Sequence, residues 1–263
     1  LTTVYNYANA DGSEPAGWLP NEVVSTTYGL STGTPAQAFS YDFAGNTTAI
    51  TTNVLSVGTN TRTLTYNAQG RLAGVSSTDG FTVTMGYNAR GLRATIAVTD
   101  TKPNFGPTDS FVEHLLYRGD RVGQVVVLDG AHPFTETFLY RPDGTPLELL
   151  YQAQDGSGHN LATVRYAYIV DGQGSVVALT NQSGNTVQQY SYDLWGNLTS
   201  VGLATGINEV VPQPLRYRGY WFDGWYDGYG DFRAGTYASD DTRPLGWYWL
   251  RTRAYDPFLK RFL

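Results

Sequence analysis

One short pattern, Tyr-(Asp/Asn)-x-x-Gly, returns along the chain, and its return restricts the fold more than any other feature. It reads Tyr41-Asp42-Phe43-Ala44-Gly45, Tyr66-Asn67-Ala68-Gln69-Gly70 and Tyr87-Asn88-Ala89-Arg90-Gly91, with 25 and then 21 residues between successive tyrosines. A further copy is Tyr192-Asp193-Leu194-Trp195-Gly196, and looser ones begin at Tyr117, Tyr140 and Tyr168. Self-similarity at such a period marks a small unit that must stack on copies of itself to bury its apolar face. Each copy reads as a strand that ends in Tyr and enters a turn. The side chain of Asp42, Asn67, Asn88 or Asp193 bonds the backbone two residues on. Gly45, Gly70, Gly91 and Gly196 supply the positive φ that closes the turn.

Between turns, apolar and polar residues alternate with a period of two, as in 61–66, 71–76 and 81–87. This is the signature of half-buried strands rich in Thr, Val and aromatic residues. One repeat is therefore one β-hairpin. A row of them predicts an all-β chain, a long antiparallel sheet that curls on itself and so covers most of its edges. Thirty Gly and twenty Tyr against a single Met agree with strands and many turns. With no Cys, burial and strand pairing hold the fold without disulfides. Residues 11–20 and 31–35 read as loops, and 99–109 as a long connection that interrupts the sheet.

Composition also narrows the function. The net charge is −6 and the arginines stand singly, mostly beside tyrosines, which argues against nucleic acid as a partner. No apolar run reaches the ~18 residues of a membrane span. Leu1-Thr2-Thr3-Val4-Tyr5 reads as mid-strand rather than as a signal peptide, so the chain is expected to be a piece of a longer protein. Zinc and P-loop spacings are missing, and Gly172-Gln173-Gly174-Ser175 fits neither a nucleophile elbow nor a dinucleotide loop. The expectation is no cofactor and no metal. Asp223, Asp227, Asp231, Asp240 and Asp241 gather in one aromatic stretch, but their spacing is not that of a calcium loop, and a solvated loop explains them. Trp225, Tyr226 and Tyr229 within it are the candidates for partner contact. The other aromatic residues are expected to pack across strands, with a carbohydrate platform as the alternative.

The end of the chain is the most specific stretch. Pro214-Leu215-Arg216-Tyr217-Arg218-Gly219-Tyr220 opens it, and Leu250-Arg251-Thr252-Arg253-Ala254-Tyr255-Asp256-Pro257-Phe258-Leu259-Lys260-Arg261-Phe262-Leu263 closes it. Together with the repeats and with Asp171-Gly172-Gln173-Gly174-Ser175-Val176-Val177-Ala178-Leu179-Thr180, it resembles the RHS/YD-repeat family. Lys260 stands where the family signature has Gly, and 224–245 is an insertion in it. The resemblance divides the chain into 1–36, the incomplete strands of a preceding repeat; 37–213, the hairpin repeats; and 214–263, the terminal signature.

The resemblance implies a strip of hairpins that spirals into a hollow barrel or cocoon, with the terminal signature turned inward as a plug. It implies a non-enzymatic shell that encloses or presents a C-terminal effector polypeptide, with that effector or a delivery or receptor protein as partner. One alternative is an adhesive or structural extracellular protein that binds a protein or carbohydrate. Another is an aspartyl autoprotease that cuts only its own C-terminal junction. By that resemblance Asp256 is a candidate catalytic carboxylate, with a structural turn residue as the alternative; Arg253 and Arg261 support it, and a second Asp lies beyond Leu263. Two neighbouring carboxylates share one proton, so one serves as base and the other as acid.

Overall fold

Every full copy of the repeat folds as a hairpin turn, and its chemistry is local. Asp42 Oδ1 accepts from the N–H of Ala44 and of Asn46, both at 2.9 Å. Asn67 Oδ1 accepts from Gln69 and Arg71 at 3.0 Å. Asn88 and Asp193 repeat the arrangement with Arg90 and Leu92, and with Trp195 and Asn197. Gly45, Gly70, Gly91 and Gly196 have φ of 82°, 71°, 76° and 92°, the left-handed region where a Cβ is disfavoured. Burial opposes the Asp42 charge, but the Asn46 and turn N–H bonds outweigh it and hold its pKa below the ordinary value. Asp155 and Asn181 build the same turn without a preceding Tyr.

The computed structural model describes residues 3–7, 25–28, 37–54, 58–78, 80–100, 110–129, 133–203, 211–223, 246–251, 253–257 and 260–263. The first strands are β1 (Thr3–Asn6), β2 (Ser25–Tyr28), β3 (Gln37–Tyr41), β4 (Thr47–Val54), β5 (Gly58–Tyr66) and β6 (Leu72–Ser77). Next come β7 (Phe81–Tyr87), β8 (Arg93–Asp100), β9 (Ser110–Arg118), β10 (Arg121–Asp129) and β11 (Phe134–Tyr140). The row ends with β12 (Pro146–Ala153), β13 (Val164–Val170), β14 (Val176–Thr180), β15 (Thr186–Tyr192) and β16 (Leu198–Leu203). All sixteen form one antiparallel sheet in sequence order, with β1 and β16 at its two ends. The expected interruption at 99–109 is corrected here: β8 pairs directly with β9, from Thr95 opposite His114 to Thr99 opposite Ser110. A long loop interrupts nothing because the entropy of closing it grows only slowly with length. His114 lies on β9, opposite Thr95.

A second device ties each hairpin to the one before it. The hydroxyl of Tyr66 donates to the carbonyl of Thr47 at 2.8 Å, and that of Tyr87 donates to Leu72. Tyr117 donates to Arg93, Tyr140 to Val122 and Tyr192 to Val176, at 2.7–2.9 Å. The acceptor is the first residue of the returning strand, or the residue after it, so the tyrosines form a ladder along the sheet. Burial raises the phenol pKa of Tyr66, Tyr87, Tyr140 and Tyr192, which keeps them protonated as donors. Val170 stands where the ladder would need a Tyr, and the chain's last segment fills that place.

One face of the sheet is apolar. Ile50, Leu64, Val83, Ile96, Val125, Leu149 and Leu179 are buried and belong to a single continuous core. Each such side chain contributes about 1.5–3 kcal/mol on burial. Trp221, Trp247 and Trp249 belong to the same core. They come from a separate four-stranded sheet of β17 (Trp221–Asp223), β18 (Trp247–Leu250), β19 (Arg253–Asp256) and β20 (Arg261–Phe262). Because residues from β3 to β15 meet these tryptophans in one core, the long sheet curls around the short one.

Candidate functional site

The seat of the terminal segment against the repeat sheet is where the chain concentrates its buried charge. It begins with 211–216, which runs along the inner face of β14 and β15. The Val211 N–H donates to Gln188 Oε1 at 3.0 Å, and the Val176 N–H donates to the Arg216 carbonyl at 3.1 Å. Arg216 is buried with its guanidinium carbon 4.0 Å from the centre of the Tyr190 ring. A 3-10 turn at Tyr217–Gly219 follows, with the Arg218 N–H on Ser175 Oγ at 3.1 Å. Gly219 (φ 67°) lies against Pro146, where a Cβ would stand 3.3 Å from Pro146 Cδ. That is the place the missing ladder tyrosine leaves open.

Further along, Asp223 at the end of β17 meets Arg93 at the start of β8. Arg93 Nη1 and Nη2 both donate to the carboxylate, the second at 2.7 Å, and the two side chains are 0% and 1% exposed. Burial opposes the Arg93 charge, but Asp223 outweighs it and raises the guanidinium pKa. The Arg93 Cζ also lies 4.4 Å from the Trp249 ring centre, so an aromatic face covers the pair. Trp249 in turn packs 6.2 Å from Tyr87, and Trp221 packs edge-on at 5.8 Å from Phe138. Tyr248 donates to the Gly196 carbonyl at 2.8 Å.

Nearby, Glu136 on β11 is buried. Burial and then the neighbouring Glu113 raise its carboxyl pKa well above the ordinary value, against the opposite pull of Arg216. The sheet under the terminal segment therefore disfavours the charged form of this carboxyl.

Asp256 ends β19 and is 8% exposed, with the Trp247 indole N–H donating to its Oδ2 at 3.0 Å. The next residue, Pro257, gives its carbonyl to Asn197 Nδ2 at 3.2 Å. Arg261 is brought opposite Asp256 in the β19–β20 ladder, and its Nη1 reaches Tyr41 Oη at 3.1 Å. Arg253 is exposed and lies over the Phe262 ring at 4.0 Å, on the other face of β19 from Asp256. Lys260, in the family's Gly position, has φ 58°, which explains why Gly is the ordinary residue there. Its side chain turns over the Trp195 ring at 4.9 Å. Trp225, Tyr226 and Tyr229, with Asp227, Asp231, Asp240 and Asp241, lie outside the described residues. Among the described residues no group of three or more His, Asp or Glu is placed to hold a metal ion.

The sequence reading passed over Arg93, Arg216 and Glu136. A signal for Arg93 was present, because it aligns with Thr47, Leu72 and Val176, which open the returning strands of other repeats and are buried. A cation at a position that the repeat buries demands a counter-charge from elsewhere.

The RHS Repeat family model matches residues 66–103, the span of the second and third full copies. The tRNA3(Ser)-specific nuclease WapA of Bacillus spizizenii is 27% identical over 146 residues, which cover 56% of this chain and 5% of that protein. The tRNA(Glu)-specific nuclease WapA of Bacillus subtilis subsp. natto is 30% identical over 93 residues, 35% of this chain and 3% of that protein. The chain therefore spans only a small part of the relatives it matches. Among solved structures, the crystal structure of TcdB2-TccC3 shares the fold with a TM-score of 0.56 at 12% identity, over 86% of this chain and 12% of that one. The repeat turns, the tyrosine ladder, the family model matched over 66–103 and this shared fold all agree with the likeness to RHS/YD-repeat proteins.

Proposed function

We propose that this chain is a length of shell wall, 37–213, with its closing plug, 214–263, and that the longer protein encloses a C-terminal effector polypeptide for delivery. Residues 1–36 then belong to a preceding repeat. The observation that carries this reading is the buried Arg93–Asp223 pair under Trp249, which commits wall and plug to one core. An end-closure needs that kind of attachment, whereas a free surface module does not. The likeness to TcdB2-TccC3 supports a shell, and the relatives named as tRNA nucleases support a toxic cargo. Nuclease chemistry then belongs to the enclosed polypeptide and not to this wall, and the whole is secreted or displayed at the cell surface. The test is limited proteolysis of the longer protein. The effector part resists protease in the wild type and is cut once Asp223→Ala loosens the plug. Equal cleavage in both supports an adhesive or structural role with a protein or carbohydrate partner.

A second reading, self-cleavage at the C-terminal junction, is favoured by one observation: Asp256 is buried with an indole N–H on one carboxylate oxygen. In the longer protein, Asp256→Asn keeps the shape but cannot take up or release the shared proton. It should abolish cleavage on a denaturing gel while leaving the melting curve unchanged. A junction cut equally in the variant removes Asp256 from the mechanism.

A further inference from the structure

We propose that the turns of the first and last full repeats, together with the last strand pair, form a docking surface for an acidic polypeptide segment that carries apolar side chains. Large apolar residues occupy the turn tip in the full copies at Tyr41 and Tyr192, but not in those at Tyr66 and Tyr87. Phe43 is 92% exposed, Leu194 89% and Trp195 46%. The corresponding tips between them include Ala68-Gln69, Ala89-Arg90, Pro142-Asp143, Gly156-Ser157, Gly172-Gln173 and Gln182-Ser183. A Phe or Leu so exposed adds nothing to the core, and exposed apolar groups that cluster mark contact surfaces.

The curl of the sheet gathers these groups, because consecutive residues of the terminal segment reach both turns. Arg261 bonds Tyr41, two residues before Phe43, and lies over its ring at 5.4 Å. Lys260 lies over Trp195. Tyr217 donates to the Leu194 carbonyl at 2.8 Å and carries Arg218 over its ring at 5.4 Å. Phe262, 37% exposed, lies beside them under Arg253.

The charge of this surface opposes that of the chain. Arg253, Lys260 and Arg261 lie on it against the buried Asp256, with Arg251 set apart because it pairs with Asp120 at 3.6 Å, while the whole chain carries −6. The acids of the two turns, Asp42 and Asp193, are engaged by the Nδ2 of Asn46 and Asn197 at 2.8 and 2.7 Å. A guanidinium stacked on a ring keeps its N–H edge for a carboxylate. Apolar tips between such cations fit a segment that mixes Glu or Asp with Leu or Phe. Nucleic acid fits less well, since Leu194 offers no stacking face and the cations sit over rings instead of in a row along a backbone. The surface stands whether or not the shell encloses an effector.

The probe is a fluorescein-labelled peptide repeating Glu-Glu-Leu-Glu-Glu-Phe, read by anisotropy, with an oligouridylate of equal charge alongside. Saturable, salt-sensitive peptide binding is expected, weakened about tenfold by Arg253→Glu with Lys260→Glu, and again by Phe43→Ser with Leu194→Ser. All four side chains are exposed, and near-UV circular dichroism checks that the tryptophans stay seated. Should a pair disturb that signal, Phe43→Ser alone serves. The proposal is overturned if the peptide does not bind, or if both pairs bind it as the wild type does. Tighter binding of the oligouridylate, or self-association lost in the same variants, overturns it in favour of RNA or a second copy.

Discussion

In the repeat sheet Asp42 bonds backbone nitrogens two and four residues on; in the terminal segment Asp223 bonds an arginine 130 residues earlier. The two regions are held by opposite means. The sheet uses one cheap local rule many times, so damage to one turn stays near that turn. The terminal segment uses single long-range contacts, several of them charged and dry, so damage to one of them reaches across the core. Local rules extend the sheet by any number of hairpins, while unique contacts fix where the terminal segment seats.

The largest effect should come from separating the buried charges. Asp223→Ala leaves Arg93 buried and unpaired, which should cost about 3–5 kcal/mol in urea denaturation. The double change Arg93→Met with Asp223→Leu should recover most of that, because two apolar groups need no partner. A loss below about 1 kcal/mol for the single change, at the level of an exposed pair, would break the contrast between the regions.

Two turn glycines sharpen it. Gly70 and Gly196 share a positive φ, yet a Cβ on Gly70 meets nothing within 4 Å, while one on Gly196 would stand 2.7 Å from Tyr217 Cδ1. Gly70→Ala should cost about 1–2 kcal/mol of backbone strain. Gly196→Ala should cost about 1–3 kcal/mol more, because the Tyr217 ring must move. Equal melting temperatures would mean that the turn at 217–219 is not seated on the last repeat.

Glu136 makes the sheet under the terminal segment sensitive to pH. Its carboxyl pKa is raised by burial, so above the ordinary value of 4.5 the unfolded chain releases a proton that the folded one keeps. The stabilisation present at low pH is therefore lost as pH rises toward the folded pKa, by about 1.4 kcal/mol per pH unit. Glu136→Gln should flatten that decline in denaturation curves taken from pH 5 upward. The smallest effects belong to the repeat itself. Tyr87→Phe removes one ladder hydroxyl and should cost about 1 kcal/mol. Asn67→Ser, which keeps a turn acceptor, should stay within about 0.5 kcal/mol.

Much of the wall was legible in the sequence because its rules act within six residues. Tyr, Asp or Asn and Gly at fixed offsets specify a turn wherever they occur. What the tyrosine hydroxyl does was not legible, since its acceptor lies one hairpin away and only the pairing of strands brings them together. The terminal segment was legible as a motif but not as a geometry. Nothing near Asp223 in sequence points to Arg93, and the direction of the Lys260 side chain depends on Trp195, which 64 intervening residues separate from it. The second Asp that the resemblance implies has no position here at all.

The tyrosine ladder also has a direction. Every donor comes later in the chain than its acceptor: Tyr66 after Thr47, Tyr87 after Leu72, Tyr117 after Arg93, Tyr140 after Val122. A chain leaving the ribosome can thus fasten each hairpin to one already made, with no need of sequence still to come. The terminal sheet then closes last, onto an Arg93 that has waited since the third full repeat. Pulled from its C-terminal end, the same structure yields in reverse, first the last strands of the terminal sheet, then the ion pair and then one rung at a time. The molecule behaves as a zipper with a clasp, and the clasp bears the first load.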